Sequence, residues 1–333
     1  MYRNNDFIYE AISKLEQLTG MVIEIDSGRQ EYDALLSIRD IQFLVEAKAT
    51  VRTSNQGLVL SKLAEMKSKS KRPLVLIAEY ISKAACKELK ERGINYIDVA
   101  GNTFIKHNDL IVFIEGQKKQ VKEKNNQSRA FQEAGLKIIF HLLNNQDHLQ
   151  DSYRKIAENS NVSVGSVSNV MAELEDLQYL LKTDNKRILK NKEELLERWI
   201  VDFNAILRPR IVRKRMTFLN PNFSQDWKNS DTQSNNGGIL WGGEPGAAIL
   251  TNNLRPEKFV LFTDLELSEV SKSLRLVPSE NGEIEVLQKF WKYDLSNRVA
   301  PALLIYADLI NSGLGRNIET AKLILDNELR YIK

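Results

Sequence analysis

One cysteine, Cys86, stands in 333 residues. It excludes an intrachain disulfide and any zinc site built from several thiolates. Histidine is nearly as scarce: His107, His141 and His148 are scattered without the spacing of metal ligands. No run approaches the ~20 apolar residues of a membrane span. Strongly apolar stretches such as Leu74 to Ala78 are only strand-sized. Met1 to Asp6 has no apolar region behind it of the kind a secretory signal carries. These absences point to the cytoplasm and to no membrane partner. Net charge is also small, +3.

The distribution of charge says more than its total. Residues 182–215 carry 11 Lys/Arg against 5 Asp/Glu. Residues 1–181 balance at 24 against 24, and residues 216–333 are acidic, 12 against 15. All the positive excess lies in one window, and five of the eight residues from Arg208 to Arg215 are Arg or Lys. Such a cluster is the footprint expected for a phosphate-backbone partner; a solvated helix face would give the same count.

The length suits two or three domains. In residues 1–118, Phe7, Ile8, Ala11, Ile12, Leu15 and Leu18 recur at helical spacing. Strands follow at Met21–Ile25, Ala34–Ile38 and Ile41–Ala49, a helix at Leu58–Lys67, and the strand Leu74–Ala78. Ser82 caps a helix that Gly93 ends, and Ile94–Val99 and Leu110–Ile114 complete the series. That order predicts an α/β domain with a mixed sheet. Residues 117–129 are polar and read as a linker, and a second break spans Asn220 to Gly238. From 239 to 333 short strands alternate with helices, an α+β domain.

Between the breaks, residues 128–215 predict a winged helix-turn-helix with a basic extension. Ala134–Leu143 forms its first helix; Asp151 or Ser152 caps a second, with Tyr153, Ile156 and Ala157 inward. After the turn Asn159–Val162, Ser163 caps a third helix that buries Val164, Val167, Val170, Met171 and Leu174. Gly165, Ser166, Ser168 and Asn169 stay outside, small polar residues suited to close approach to bases and phosphates. Leu180–Lys190, around Asp184–Asn185, reads as the wing hairpin. Ser163, Ser166, Ser168 and Asn169 are thus the expected duplex contacts of the helix, Lys182, Lys186 and Arg187 those of the wing, and Arg208, Arg210, Arg213, Lys214 and Arg215 those of the extension. A ligand-free three-helix packing domain would carry much the same pattern.

Asp33, Glu46 and Lys48 repeat the D…(D/E)-x-K pattern of restriction-endonuclease-like folds. Alternate residues of a strand share a face, so Glu46 and Lys48 point the same way. Two carboxylates suit Mg²⁺, held by Asp33 and Glu46, while Lys48 could steady the attacking water or the scissile phosphate. Glu10 could add a third acid, and Gln56 could touch substrate. The same residues also read as a surface ion pair on a strand, or as a nuclease fold used only for binding.

The C-terminal third carries Trp241-Gly242-Gly243-Glu244-Pro245-Gly246-Ala247-Ala248, Leu254-Arg255-Pro256 and Leu276-Val277-Pro278. It ends through Ala300-Pro301-Ala302-Leu303-Leu304-Ile305-Tyr306-Ala307-Asp308-Leu309 and Gly313-Leu314-Gly315-Arg316-Asn317-Ile318-Glu319-Thr320-Ala321. With Leu207-Arg208-Pro209-Arg210 and Tyr96-Ile97-Asp98-Val99-Ala100-Gly101-Asn102, this resembles the AbiEi-type antitoxin family. The resemblance implies a transcriptional regulator of a type IV toxin–antitoxin or abortive-infection system. Its toxin would be an operonic nucleotidyltransferase that it does not bind stably. The family pairs an N-terminal winged helix with a C-terminal antitoxin domain; here another domain precedes the winged helix. On the residues alone, Asp308 and Arg316 could simply pair, and Arg316 and Asn317 could cap the last helix. Two readings stand: a regulator of its own promoter on double-stranded DNA, and a Mg²⁺-dependent nuclease targeted by the winged helix.

Overall fold

The chain divides into two units, Met1–Asn125 and Asn126–Lys333. The computed structural model describes residues 6–29, 32–117, 128–183, 186–220, 224, 227–229, 238–293 and 298–332. Most of the expected linker, the Asp184–Asn185 turn and most of the Asn220–Gly238 break lie outside them.

In the first unit, helix α1 (Asp6–Thr19) precedes strands β1 (Ile23–Arg29), β2 (Tyr32–Ile38) and β3 (Ile41–Val51). Helix α2 (Thr53–Lys69), strand β4 (Leu74–Ile81), helix α3 (Lys83–Glu91) and strands β5 (Asn95–Asp98), β6 (Thr103–His107) and β7 (Leu110–Ile114) follow. The strands pair in chain order from β1 to β7. Only the β3–β4 and β4–β5 pairs are parallel, and they are the two joined through a helix, as parallel neighbours require a crossover. Alternation divides the core between the two faces. Phe43, Val45, Val75 and Ile77 pack with Ile8, Ala11, Ile12 and Leu15 of α1. Leu76 and Ala78 pack with Val59 and Leu63 of α2 and with Ala85 and Leu89 of α3. A one-residue slip of β4 would exchange these sets. Ser82 caps α3 by accepting the Ala85 N–H, and Gly93 follows it with φ +67°. Strand β6 lies outside the strands that the sequence pattern predicts.

The second unit opens with helices α4 (Glu133–Asn144), α5 (Tyr153–Ser160) and α6 (Val164–Asp176), then the hairpin β8 (Leu180–Lys182) and β9 (Arg187–Leu189). Helix α7 (Lys192–Asp202) continues through a wide π-type turn, Phe203–Leu207, into α8 (Arg208–Ile211). Strand β10 (Val212–Phe218), strand β11 (Ile239–Gly242), helix α9 (Gly243–Thr251), strand β12 (Phe259–Thr263) and helix α10 (Leu267–Leu274) come next. The unit ends with strands β13 (Leu276–Pro278) and β14 (Ile284–Gln288) and helices α11 (Ala302–Ser312) and α12 (Gly315–Asn327). Its five-stranded sheet runs β11-β12-β14-β10-β13. The basic extension expected beyond the winged helix is therefore α8 and a central strand of this sheet. Met216 and Phe218 anchor β10 among Ile239, Trp241, Phe259 and Ile284, and that burial outweighs the solvation of the charged residues Arg213, Lys214 and Arg215 that precede them in the strand. Phe140 of α4 meets Phe290 at 5.0 Å and Trp291 at 5.7 Å between ring centroids, so the helices and the sheet share aromatic packing. Among the described residues no helix is long and apolar enough to cross a membrane.

Candidate functional site

Helices α5 and α6 are joined by a tight turn. Ser152 caps α5 by accepting the Lys155 N–H, and Asn161 leaves it in the left-handed region at φ +53°. Asn tolerates that conformation better than most residues. Ser163 then caps α6 by accepting the Ser166 N–H at 3.1 Å. Val167, Val170, Met171 and Leu174 are buried, while Gly165, Ser168 and Asn169 are exposed and Ser166 is half-buried. Val164 is 47% exposed rather than buried, because the cap turns the first helical residue outward. The outer edge of the first two turns is thus small, polar and uncharged. The β8–β9 hairpin follows with Leu181↔Ile188 and Lys182↔Arg187 in register.

The basic window does not survive as a basic patch. Five of its eleven cations face carboxylates. Lys182 meets Glu175 at 2.7 Å, Arg198 meets Asp202 at 4.0 Å and Arg210 meets Glu133 at 2.8 Å. Arg208 places Nε 2.7 Å from Asp308 and Nη2 2.8 Å from Glu285, which Arg215 also holds at 2.5 Å. Three more are held by carbonyls: Arg187 donates to Asp151, Lys192 to Tyr331 and Arg213 to Leu265. Lys186, Lys190 and Lys214 are the exposed remainder. Of the expected duplex contacts, Arg208 fits least: its side chain is 17% exposed and lies between two acids. The paired cations hold Glu285 below the usual carboxylate range against the cost of its burial. Full burial pushes Asp308 above that range, with Arg208 opposing.

Arg316 does not pair with Asp308. It reaches Glu257 at 2.6 Å and Glu244 at 3.2 Å, and Asn317 donates to Glu244 at 3.0 Å. The backbone N–H groups of Glu257, at 2.7 Å, and Lys258, at 3.3 Å, complete the shell of this buried carboxylate. Glu244, Arg316 and Asn317 therefore lock α9 to α12. A buried charge satisfied from four directions is a structural fastening rather than a reactive group.

In the first unit the β2–β3 ladder closes at Ala34↔Val45. One step beyond, the Asp33 carboxylate takes over the ladder's role and accepts the Ala47 N–H at 2.8 Å. Lys48 Nζ lies 3.4 Å from Glu46 Oε1, and Glu46 is 4% exposed. Burial pushes the Glu46 carboxyl above its ordinary value; Lys48 opposes the shift and Asp33 adds to it. The three residues are thus brought together at the splayed edge of two strands, on the α2 face of the sheet. Glu10 is exposed on α1, which covers the opposite face. Gln56 is buried, and donates to the Ala85 carbonyl of α3 at 3.4 Å.

Sequence spacing hid a further cluster. His141 and His148, read as scattered, stack at 4.1 Å with ring planes 2° apart, and His141 Nε2 lies 3.4 Å from Asp151 Oδ2. Burial lowers the His141 imidazole to a pKa of about 4, with His148 adding to the effect.

Residues 187–330 match the model of a family described as transcriptional regulator, AbiEi antitoxin, type IV toxin–antitoxin system. The match begins in β9 and ends past α12, leaving α4–α6 and the first unit outside it. No curated protein and no solved structure matches the chain.

Proposed function

We propose that the chain is a DNA-binding transcriptional regulator of the AbiEi antitoxin type. Helix α6 enters the major groove, and the β8–β9 hairpin serves as a wing. The carrying observation is the exposed edge of α6: Ser168 and Asn169, with Ser163 and Ser166 at the cap, follow a tight inter-helical turn and precede a hairpin. A helix N-terminus directs N–H groups and a partial positive charge at phosphates, and Asn reads adenine in bidentate fashion. Lys186 and Lys190, exposed beside the wing, supply backbone contacts. The family match to residues 187–330 supports the regulatory role. An operonic nucleotidyltransferase toxin, opposed without a stable complex, is the partner this reading expects from the sequence resemblance. A mobility-shift titration of the full chain on its own upstream DNA tests the reading. Asn169→Ala should change sequence preference by about 1–3 kcal/mol at one base pair. No binding at low salt would refute it.

A second reading rests on Asp33, Glu46 and Lys48. Two carboxylates and an ammonium at a strand edge suit a restriction-endonuclease-like site, with Mg²⁺ on Asp33 and Glu46 and Lys48 near the phosphate. Under it the first unit cleaves phosphodiesters and the second brings it to DNA.

A further inference from the structure

His141 sits in the last turn of α4, His148 on the 3-10 turn that follows, and Asp151 immediately before the cap of α5. One donor atom from each falls within 4.8 Å of the others. His141 is 1% exposed, yet neither of its ring nitrogens has a hydrogen-bond partner, and Asp151 Oδ2 has none either. Leaving three buried polar atoms unmatched in one place is costly unless something else satisfies them. We propose that His141, His148 and Asp151 bind a divalent transition-metal ion of the zinc class.

The polar contacts sort the donors. Lys155 takes Asp151 Oδ1 at 2.7 Å, which leaves Oδ2 facing His141 as a monodentate ligand. The 3.4 Å between His141 Nε2 and Asp151 Oδ2 is long for a hydrogen bond. It matches the edge of about 3.3 Å between two ligands of a tetrahedral Zn²⁺ at bond lengths near 2.0 Å. His148 Nδ1 lies 3.1 Å from the His141 carbonyl. Donation there fixes the tautomer and leaves the lone pair on Nε2, the outer-shell arrangement that metal-bound histidines use. The stacked rings lie in parallel planes, so their lone pairs converge only when one ring turns. The half-buried His148 ring turns by pivoting on its Nδ1 contact to the His141 carbonyl, which swings Nε2 toward the other two donors and keeps the tautomer fixed. Two imidazoles and one carboxylate suit zinc rather than Mg²⁺ or Ca²⁺, which prefer all-oxygen shells. A bound ion would tie α4, the 3-10 turn and the start of α5 together.

The test uses the full chain, stripped of metal by chelator and titrated with ZnCl₂ against a chromophoric competitor. One ion per chain is expected, undisturbed by excess Mg²⁺. His148→Ala and Asp151→Asn should each lower zinc affinity at least about tenfold. Zinc should raise the melting temperature of the parent and not of His148→Ala. Co²⁺ in place of zinc should give the visible bands of a low-coordinate N/O site, lost in the same two variants. No binding by the parent, or binding unchanged in both His148→Ala and Asp151→Asn, would overturn the proposal.

Discussion

Replacing Arg208 by Ala separates a fastening from a DNA contact. Its guanidinium bridges Asp308 at 2.7 Å and Glu285 at 2.8 Å, with the three side chains 17%, 7% and 16% exposed. Removing it leaves two largely buried carboxylates facing each other. Breaking a buried pair from one side costs about 3–5 kcal/mol. The lower end applies here, because Arg215 remains on Glu285 and Asp308, already raised by burial, can take up a proton. For a unit of this size each kcal/mol lowers the melting temperature by about 2–4 °C, so a loss of about 6–12 °C is expected. The deficit should shrink on acidification. Without Arg208, Asp308 is raised further above its unfolded value of about 4, while Arg215 still holds Glu285. The folded variant then binds protons that the unfolded chain has released, and its stability falls as pH rises. Thermal unfolding followed by circular dichroism at pH 5 and pH 8 reads both effects, with the larger gap between parent and variant at pH 8. DNA affinity measured well below the melt should match the parent. An unchanged melting temperature together with lost DNA binding would refute the assignment and return Arg208 to the interface.

The double change Lys186→Ala with Lys190→Ala should flatten the dependence of log affinity on log salt by about 2, at roughly 0.9 per phosphate contact; an unchanged slope would remove the wing from the interface. Promoter DNA should stay intact with Mg²⁺ or Mn²⁺, since a regulator that cut its operator would defeat itself. Any cleavage seen in a gel assay must vanish in Lys48→Ala with DNA affinity retained; cleavage surviving that change would place the chemistry elsewhere. Truncation after Gly238 removes β13 and β14, the strands that flank β10, together with Phe290 and Trp291, which pack on Phe140. The fragment should aggregate or melt without cooperativity in size-exclusion and thermal scans, and a soluble fragment with a sharp melt would show that the helices stand alone.

Much of the fold was legible because local pattern and tertiary demand agree. The run Leu74–Ala78 has no polar alternate, which suits a strand covered on both faces, and β4 is one. Ser82 with Gly93, and Ser152 and Ser163 ahead of apolar periodicity, mark helix ends that depend on neighbours only a few residues away. β10 was not legible in this way. Its buried Met216 and Phe218 sit at alternate positions, but Arg213, Lys214 and Arg215 dominate the reading, and the strands that cover it arrive about seventy residues later. β6 was hidden because Thr103–His107 is short and adjoins a turn, with Asn108 at φ +48°.

The same distinction decides the sites. Asp33, Glu46 and Lys48 could be grouped in advance because strand periodicity is local and the hairpin between β2 and β3 is tight. Counting charge along a window fails for a complementary reason. It registers Arg208, Arg210 and Arg215 together and misses Asp308, Glu285 and Glu133, which lie 70 to 100 positions away and face them in the fold. A sequence cluster of one sign is a field only where the fold leaves its counter-charges elsewhere. His141 and His148 show the converse. Seven positions apart, they would share a helix face but stand two turns, about 10 Å, from each other, yet one 3-10 turn folds the chain back and lays one ring on the other. Spacing rules assume that one regular element carries both ligands, whereas here a helix end, a turn and a cap each contribute one.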